Sequence, residues 1–452
     1  MTLFNPINHT QYRNENMKSS HQIGLKFLRY LALSIAGTTM LDFNLEAKPM
    51  RSYILGDIAI EKPGYITVTN QGGSKGIWVS SFGTEIKDKL TLIPEIKRNW
   101  QAIPSHLPSH QMTWPNEINK KSILISGQQT WAAPGGFFSM PIVTNKQRTG
   151  SIHLVWIDHQ QMQSHVIAEP EQPWFYHKVI WRDMDGDGLL DIVTARSNFN
   201  PLRKVFGGIL KKKNKVRGEL LWFRQPAEDA LKVNWEKNKI VDGPDVYFEM
   251  VDLDQDGIEE IIATESFQGK LSVYWRYGDT WRKRVINDSL GTLFGMEFTD
   301  INQDGNHDLI VTNHENDDTA GVFAFEIPVN FRDDPWAFHP LLTGIKTLKE
   351  GRGEASPGGT RSFNLSSGDN DKPWILVSGD GSKRIHLLIP QNQAQNNWDY
   401  VEHILLETKD AITGKIDLID LDEDGTPEVL VPEYHDNRIG VVSVKKFIEA
   451  NR

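Results

Sequence analysis

The sequence contains no cysteine, which removes disulfides, zinc–thiolate centres and thiol catalysis from consideration. It has no excess of basic residues: 49 Lys and Arg face 59 Asp and Glu, for a formal net charge of −10. That balance argues against nucleic acid as the main partner. It also lacks a run of the roughly 20 apolar residues that a bilayer span needs. The nearest approach is Leu31 to Leu41, preceded by a weakly basic stretch with Arg13, Lys18, Lys26 and Arg29. Residues 1–47 therefore read as a secretory signal, initiating near Met17 and cut after Ala47, or as a disordered leader. A chain exported without disulfides must tie its loops down by other means.

What is present is repetition. Thirty-six Gly, 14 Trp and a 39% hydrophobic content suit an all-β chain with many turns. A short β-branched strand recurs about every 60 residues, in the range where period points to a propeller or solenoid. Its copies are Ile66–Asn70, Pro141–Asn145, Ile192–Ala195, Ile261–Thr264, Leu309–Asn313, Ile375–Ser378 and Val429–Pro432. A second strand, usually led by Gly, follows each in strict order, from Gly76–Ser80 to Arg438–Ser443. Trp235, Trp281, Trp336 and Trp398 open a further strand and are read as blade packing. Residues 48–452 are thus expected to form a seven-bladed β-propeller of four-stranded blades. The last unit lacks a fourth strand, so either a segment around residues 40–50 supplies it or the ring closes imperfectly.

Four units carry an acidic loop before the recurring strand. The ligand positions 1, 3, 5, 7 and 9 are Asp183, Asp185, Asp187, Leu189 and Asp191 in the third unit, and Asp252, Asp254, Asp256, Ile258 and Glu260 in the fourth. In the fifth they are Asp300, Asn302, Asp304, Asn306 and Asp308, and in the seventh Asp420, Asp422, Asp424, Thr426 and Glu428. Side-chain oxygens at 1, 3, 5 and 9 with a backbone carbonyl at 7 suit a hard cation of Ca²⁺ size. Glycine at position 6 allows the chain to turn about the ion. An EF-hand is excluded: its position 12 needs Glu, and here Thr194, Ala263, Val311 or Val431 stands inside a strand pattern. The other units carry decayed versions, with Asp57, Ala59, Glu61 and Tyr65 in the first, Ala132, Pro134, Gly136 and Met140 in the second, and Ser366, Gly368, Asn370 and Trp374 in the sixth. About four Ca²⁺ ions would cancel most of the net charge and stabilise the fold by mass action.

The loop D-x-D-x-D-G-x-x-[DE], an apolar strand and a Gly-led strand together resemble the FG-GAP/VCBS repeat family over about residues 52–444. Integrin α-subunit propellers, integrin-like fungal lectins and some sugar-processing enzymes belong to it. The resemblance implies the propeller fold and bound Ca²⁺ but no particular activity. The Phe-Gly and Gly-Ala-Pro signatures of the integrin pattern are not clear in this sequence.

If the acidic loops share one face, the loops after the recurring strands open on the other. Asn70, Asn145, Arg196, Glu265, His314 with Glu315, Asp380, and Glu433 with His435 are expected around that mouth. Trp114 and Trp131, outside the Trp register, are the aromatic candidates for ligand contact. The basic insertion Pro201–Arg217 is read as a solvated loop or a contact for an acidic partner. The expected function is a secreted or extracellular (periplasmic if bacterial) binding module for carbohydrate or protein. The alternative is a lyase or dehydratase using His314, His435 and Glu265 as acid and base. Neither nucleic acid nor stable membrane insertion is expected, and the chain is expected to be a monomer.

Overall fold

The computed structural model describes residues 52–71, 73–83, 86–97, 109–136, 150–168, 174–198, 218–349, 354–365 and 371–451. The leader, the Pro141–Asn145 run with Asn145, the insertion Pro201–Arg217, Met140, and Ser366, Gly368 and Asn370 lie outside the described residues.

Seven antiparallel sheets of four strands make a propeller. β1 (Ile54–Ala59) belongs to the seventh. Blade one comprises β2 (Pro63–Gln71), β3 (Ser74–Ser81), β4 (Lys89–Ile93) and β5 (Ser109–Gln111); blade two β6 (Ile123–Ile125), β7 (Gln128–Gly135), β8 (Ser151–Asp158) and β9 (Gln161–Val166). Blade three holds β10 (Phe175–Arg182), β11 (Asp191–Ser197), β12 (Gly218–Arg224) and β13 (Glu236–Asp242). Blade four has β14 (Phe248–Val251), β15 (Glu260–Glu265), β16 (Lys270–Tyr277) and β17 (Thr280–Asn287). Blade five has β18 (Leu293–Thr299), β19 (Asp308–Asn313), β20 (Gly321–Glu326) and β21 (Ala337–Thr343). Blade six has β22 (Thr360–Phe363), β23 (Trp374–Ser378), β24 (Arg384–Pro390) and β25 (Tyr400–Glu407). Blade seven joins β26 (Asp417–Ile419), β27 (Glu428–Glu433) and β28 (Arg438–Ser443) to β1, and the helix α1 (Val444–Asn451) follows.

Patterning explains the layering. Second strands such as β11, β15, β19 and β27 are buried at every residue, so they read as unbroken apolar β-branched runs. The outer strand β17 is exposed or half-buried throughout and carries Arg282, Lys283 and Arg284. The core lies between blades: Val193, Phe248, Ile261 and Ala263 join blades three and four, and Leu376, Leu387, Val431 and Val442 join six and seven. Hydroxyls on second strands add cross-blade ties. Ser80 Oγ donates to Asn116 O at 2.6 Å, Thr312 Oγ1 to Gly358 O at 2.7 Å and Ser378 Oγ to Gly414 O at 2.7 Å. The Trp register is structural, since the indoles of Trp235 and Trp336 each donate to a carbonyl five residues earlier, Ala230 O and Phe331 O.

Four expectations are corrected. The closing strand is β1 at Ile54–Ala59, pairing with β28 from Ile54↔Val442 to Ala59↔Arg438, rather than a segment at 40–50. Blade one is shifted by one strand: the Ile66–Asn70 run lies on its inner strand β2, and Gly76–Ser80 on its second strand. Asp57 and Ala59 therefore sit on β1, and Tyr65 on β2, instead of forming a decayed loop. In blade two the second strand is β7, so Ala132 and Pro134 are strand residues paired with Leu154 and Ile152. Trp131 on the same strand is 1% exposed and packs edge-on against Trp78, their centroids 5.3 Å apart. It is a core residue rather than a ligand contact.

Candidate functional site

Each inner strand of blades three, four, five and seven runs into its acidic loop, and the four loops repeat one hydrogen-bond scheme. The position-6 amides of Gly188, Gly257, Gly305 and Gly425 donate to Oδ2 of Asp183, Asp252, Asp300 and Asp420 at 2.9, 2.9, 2.9 and 3.1 Å. The position-7 amides of Leu189, Ile258, Asn306 and Thr426 donate to Oδ1 of Asp187, Asp256, Asp304 and Asp424 at 2.7–2.9 Å. The position-9 carboxylates Asp191, Glu260, Asp308 and Glu428 accept the amide of position 2 at 2.9–3.1 Å. All four glycines have φ between +85° and +90°, and position 4 is left-handed too, at Gly186, Gln255, Gln303 and Glu423. The sequence reading missed that second requirement, because only Gly186 carries the glycine that would signal it.

This scheme gathers carboxylates that could hold a metal ion. One oxygen each from Asp183, Asp185 and Asp191 lies within 4.8 Å of the others, and so do those of Asp252, Asp254 and Glu260, and of Asp420, Asp422 and Asp424. Asp254 Oδ1 and Asp420 Oδ1 are buried without a hydrogen-bond partner, as oxygens reserved for a cation would be. Burial, reinforced by neighbouring loop carboxylates and opposed by the amide donors, pushes Glu260, Asp308 and Glu428 up to about 7 and raises Asp191. The donor set is all oxygen, so it fits a hard cation.

The inner strands begin at the opposite face. There a cavity of ≈ 280 Å³ opens between strand starts (Tyr65, Tyr247, Phe294, Lys415) and the loops that follow second strands (Phe82, His314, Asp380, Tyr434, His435), with Trp114 and Glu354 completing the wall. Phe82 and Trp114 stack at 4.7 Å, and His314 stacks on Phe294 at 5.0 Å. His314 Nε2 lies 3.1 Å from Asp380 Oδ2. Burial, then the charge of Asp380, raises the Glu354 carboxyl. Burial, then Lys349 and Lys62, lowers His435. Two non-glycine residues on this wall are left-handed, Trp114 at φ +41° and Asp380 at +48°; such strain persists only where surrounding structure holds it, most often at functional sites.

The turn that presents Asp380 is rigid. Its five amides, 379–383, all have acceptors, including Thr413 Oγ1 for Asp380 N and Ala355 O for Gly381 N. Ser382 Oγ meets His386 Nε2 at 3.0 Å, and His386 Nδ1 meets Glu402 Oε1 at 2.6 Å. That chain has the order of a hydrolase triad, but Ser382 is 1% exposed and no amide of the turn is left to serve an oxyanion. It ties the turn to the outer strand β25.

Below the cavity the axis is filled with paired charges. Glu117 accepts Lys415 and Arg361, Arg361 and Lys120 reach Asp417, Lys178 pairs with Glu249, and Thr360 and Ser362 donate to Glu297. Burial alone would lift Glu117, but Lys415 and Arg361 hold it down to about 2. Burial lowers Lys415 to about 8 and, with Lys415 nearby, His177 to about 3. Tyr65 hydrogen-bonds His177 at 3.3 Å.

Among the residues expected at the mouth, His314, Asp380 and His435 line the cavity. Arg196 and Glu265 turn into their blades instead: Arg196 pairs with Glu219 at 2.7 Å and stacks on Trp174, and Glu265 binds Ser272, Tyr274 and Lys283. Glu315 accepts the Thr292 amide, and Glu433 pairs with Arg438. Asn70 ends an inner strand, and its side chain caps the β2–β3 turn through Gly73 N, which places it on the acidic-loop face. Trp114 was legible as an aromatic out of register; Phe82, Glu354 and Tyr434 carried no signal, because they come from unrelated connections.

A family model for an FG-GAP-like repeat matches residues 252–311, from the first aspartate of the blade-four loop into β19. No curated protein matches the chain. Among the described residues no helix is long and apolar enough to cross a membrane. Residues 252–311 are thus an FG-GAP-like repeat set in a β-propeller of seven four-stranded blades.

Proposed function

We propose that this chain is a secreted, calcium-stabilised binding module that takes a carbohydrate in its mouth cavity, with residues 1–47 as the leader and residues 48–452 as the propeller. One observation carries the reading: a concave ≈ 280 Å³ cavity walled by Tyr65, Phe82, Trp114, Tyr247, Phe294 and Tyr434, with Asp380, Glu354 and two imidazoles among them. Aromatic faces stack on the C–H surfaces of a sugar while carboxylates and imidazoles bond its hydroxyls. A flat protein interface would instead need about 800 Å² per partner, so the cavity favours one or two sugar units.

Calcium in this reading is structural. Its ligands would be the side chains at positions 1, 3, 5 and 9 of each acidic loop and the carbonyls of Leu189, Ile258, Asn306 and Thr426. When bound, the ion supplies positive charge that holds the loop carboxylates together. The loops lie across the disc from the cavity, so no ligand contact is assigned to them.

Binding to a glycan array, with and without EGTA, tests the module. Retention of a defined saccharide that is lost in Trp114→Ala supports it; no glycan retained under any condition sinks it. The His314–Asp380 contact beside Glu354 favours a second reading as a lyase or dehydratase. Turnover of a bound saccharide, abolished in His314→Ala, would establish that reading in place of simple binding.

A further inference from the structure

The acidic loops differ in their own charge, and the cations around them differ to match. In blades three, four and seven the loop offers four carboxylates at positions 1, 3, 5 and 9. The carboxylates at these four positions meet one basic side chain in each loop. Arg224 lies 2.6 Å from Asp185 and 3.3 Å from Asp187, Arg332 lies 2.6 Å from Asp254, and Lys445 lies 2.7 Å from Asp424. Arg224 ends β12 and Lys445 follows β28, each beside the loop of its own blade, whereas Arg332 follows β20 of blade five and reaches the blade-four loop from the neighbouring blade. In blade five Asn302 replaces the position-3 aspartate, leaving three carboxylates, and among the described residues no basic side chain pairs with that loop. Further acids on the loops are paired separately, Glu259 with Arg182 and Glu423 with Lys75.

Four carboxylates with one base and three carboxylates with none leave the same net of three negative charges. Arg332 also shows how the base acts, because it engages Asp254 Oδ2 and leaves Oδ1 buried without a partner. In blade four the base cancels one charge without occupying that oxygen, although Arg332 also lies 3.8 Å from Glu260 Oε1. In blades three and seven Arg224 and Lys445 sit on Oδ2 of Asp185 and Asp424, whose Oδ1 already accepts a loop amide. We propose that Arg224, Arg332 and Lys445 are counter-charges that set the three four-carboxylate loops to the charge of the Asn302 loop, so that all four bind calcium with matched affinity and fill together. This rests on the calcium reading above. Charge count is one of the determinants of calcium affinity in oxygen-ligand loops, so removing a counter-charge or restoring the missing aspartate should each produce one over-charged site.

The experiment is calorimetric titration of the full chain with Ca²⁺ at about 0.1 M salt, for the wild type, Arg332→Gln and Asn302→Asp. The wild type should show one class of four sites. Each variant should show three unchanged sites and one roughly tenfold tighter, the size of the attraction between a divalent ion and one more charge a few ångströms away in a water-like dielectric. High salt should narrow that gap. Asn302→Asp removes no packing group, so it reports even if Arg332→Gln disturbs its loop. A wild-type isotherm that resolves one site from three, or an Asn302→Asp isotherm identical to wild type, overturns matching while leaving calcium binding intact. Absence of any Ca²⁺ uptake by the wild type overturns the calcium reading itself.

Discussion

Four loops on one face of the disc reproduce the same three hydrogen bonds, and four glycines share a φ within a few degrees. On the other face the residues described around the cavity follow no common scheme. His314, Asp380 and His435 occupy loops after second strands in three successive blades, yet one stacks on Phe294, one sits in a strained turn and one accepts the Ile412 amide. The periodic face is what stability needs from each blade separately, since every loop closes its own sheet. The aperiodic face is what a single ligand needs, because one cavity on the axis has no seven-fold symmetry to respect.

Stripping metal from the periodic face should give the largest effect. With each of four sites at about 100 times its Kd, bound ions would contribute about 10 kcal/mol in total, so EGTA should lower the melting temperature by on the order of 10 °C. Scanning calorimetry with and without EGTA reads this directly, and an unchanged melt would show that the loops do not depend on metal. Fewer than three Ca²⁺ per chain by calorimetric titration would show that the four loops are not all metal sites.

The two tryptophans offer the next contrast. Trp131→Ala removes a fully buried side chain and should cost about 3–5 kcal/mol of stability. Trp114→Ala removes a half-buried wall of the cavity and should abolish ligand retention while leaving the melt within a few degrees. Equal destabilisation by both would erase the distinction between core and cavity aromatics.

The smallest effect is on pH dependence. Burial lowers His177 to about 3 and His153 to about 4, so the unfolded chain binds protons there that the folded chain refuses. Their contribution is complete above about pH 6.5 and is lost as pH falls from 6.5 toward those values, at up to about 1.4 kcal/mol per pH unit for each group. Glu117, held at about 2, adds a further loss below about pH 4.5. Urea melts across pH 4 to 7 in EGTA read this as the difference between wild type and His177→Asn, in which the opposite slope of the loop carboxylates raised to about 7 cancels; the wild type should gain more stability with rising pH than the variant. An equal slope in both would place the sensitivity elsewhere.

The sequence was most legible where turn chemistry and strand pattern agreed. In blades three, four, five and seven the acidic loop fixed which strand was second, and the strands fell where expected. Blades one and two have no such loop, and there Ile66–Asn70 was read one strand out of place. Ile66 to Thr69 on the inner strand β2 are nearly as buried as a second strand, so Ile-Thr-Val-Thr suits either position. Arg196 illustrates a different limit. Its residue type suited a binding mouth, but Glu219 stands directly opposite on β12 and claims it, a register that composition does not reveal. Trp131 failed for the same reason, since its position outside the repeat said nothing about Trp78 waiting in the next blade.

The pairing of β1 with β28 has a consequence for the order of events during synthesis. Blades one to six are each made from continuous stretches of chain and can assemble as they leave the ribosome. Blade seven cannot, because its edge comes from residues 54–59 and its other three strands from residues 417–443. The earliest described strand must therefore stay unpaired until nearly all the rest exists, offering an open edge to any other strand that passes. That makes β1 the place where a chaperone would be most useful, and the strand most prone to be exchanged between two copies if the ring closes late.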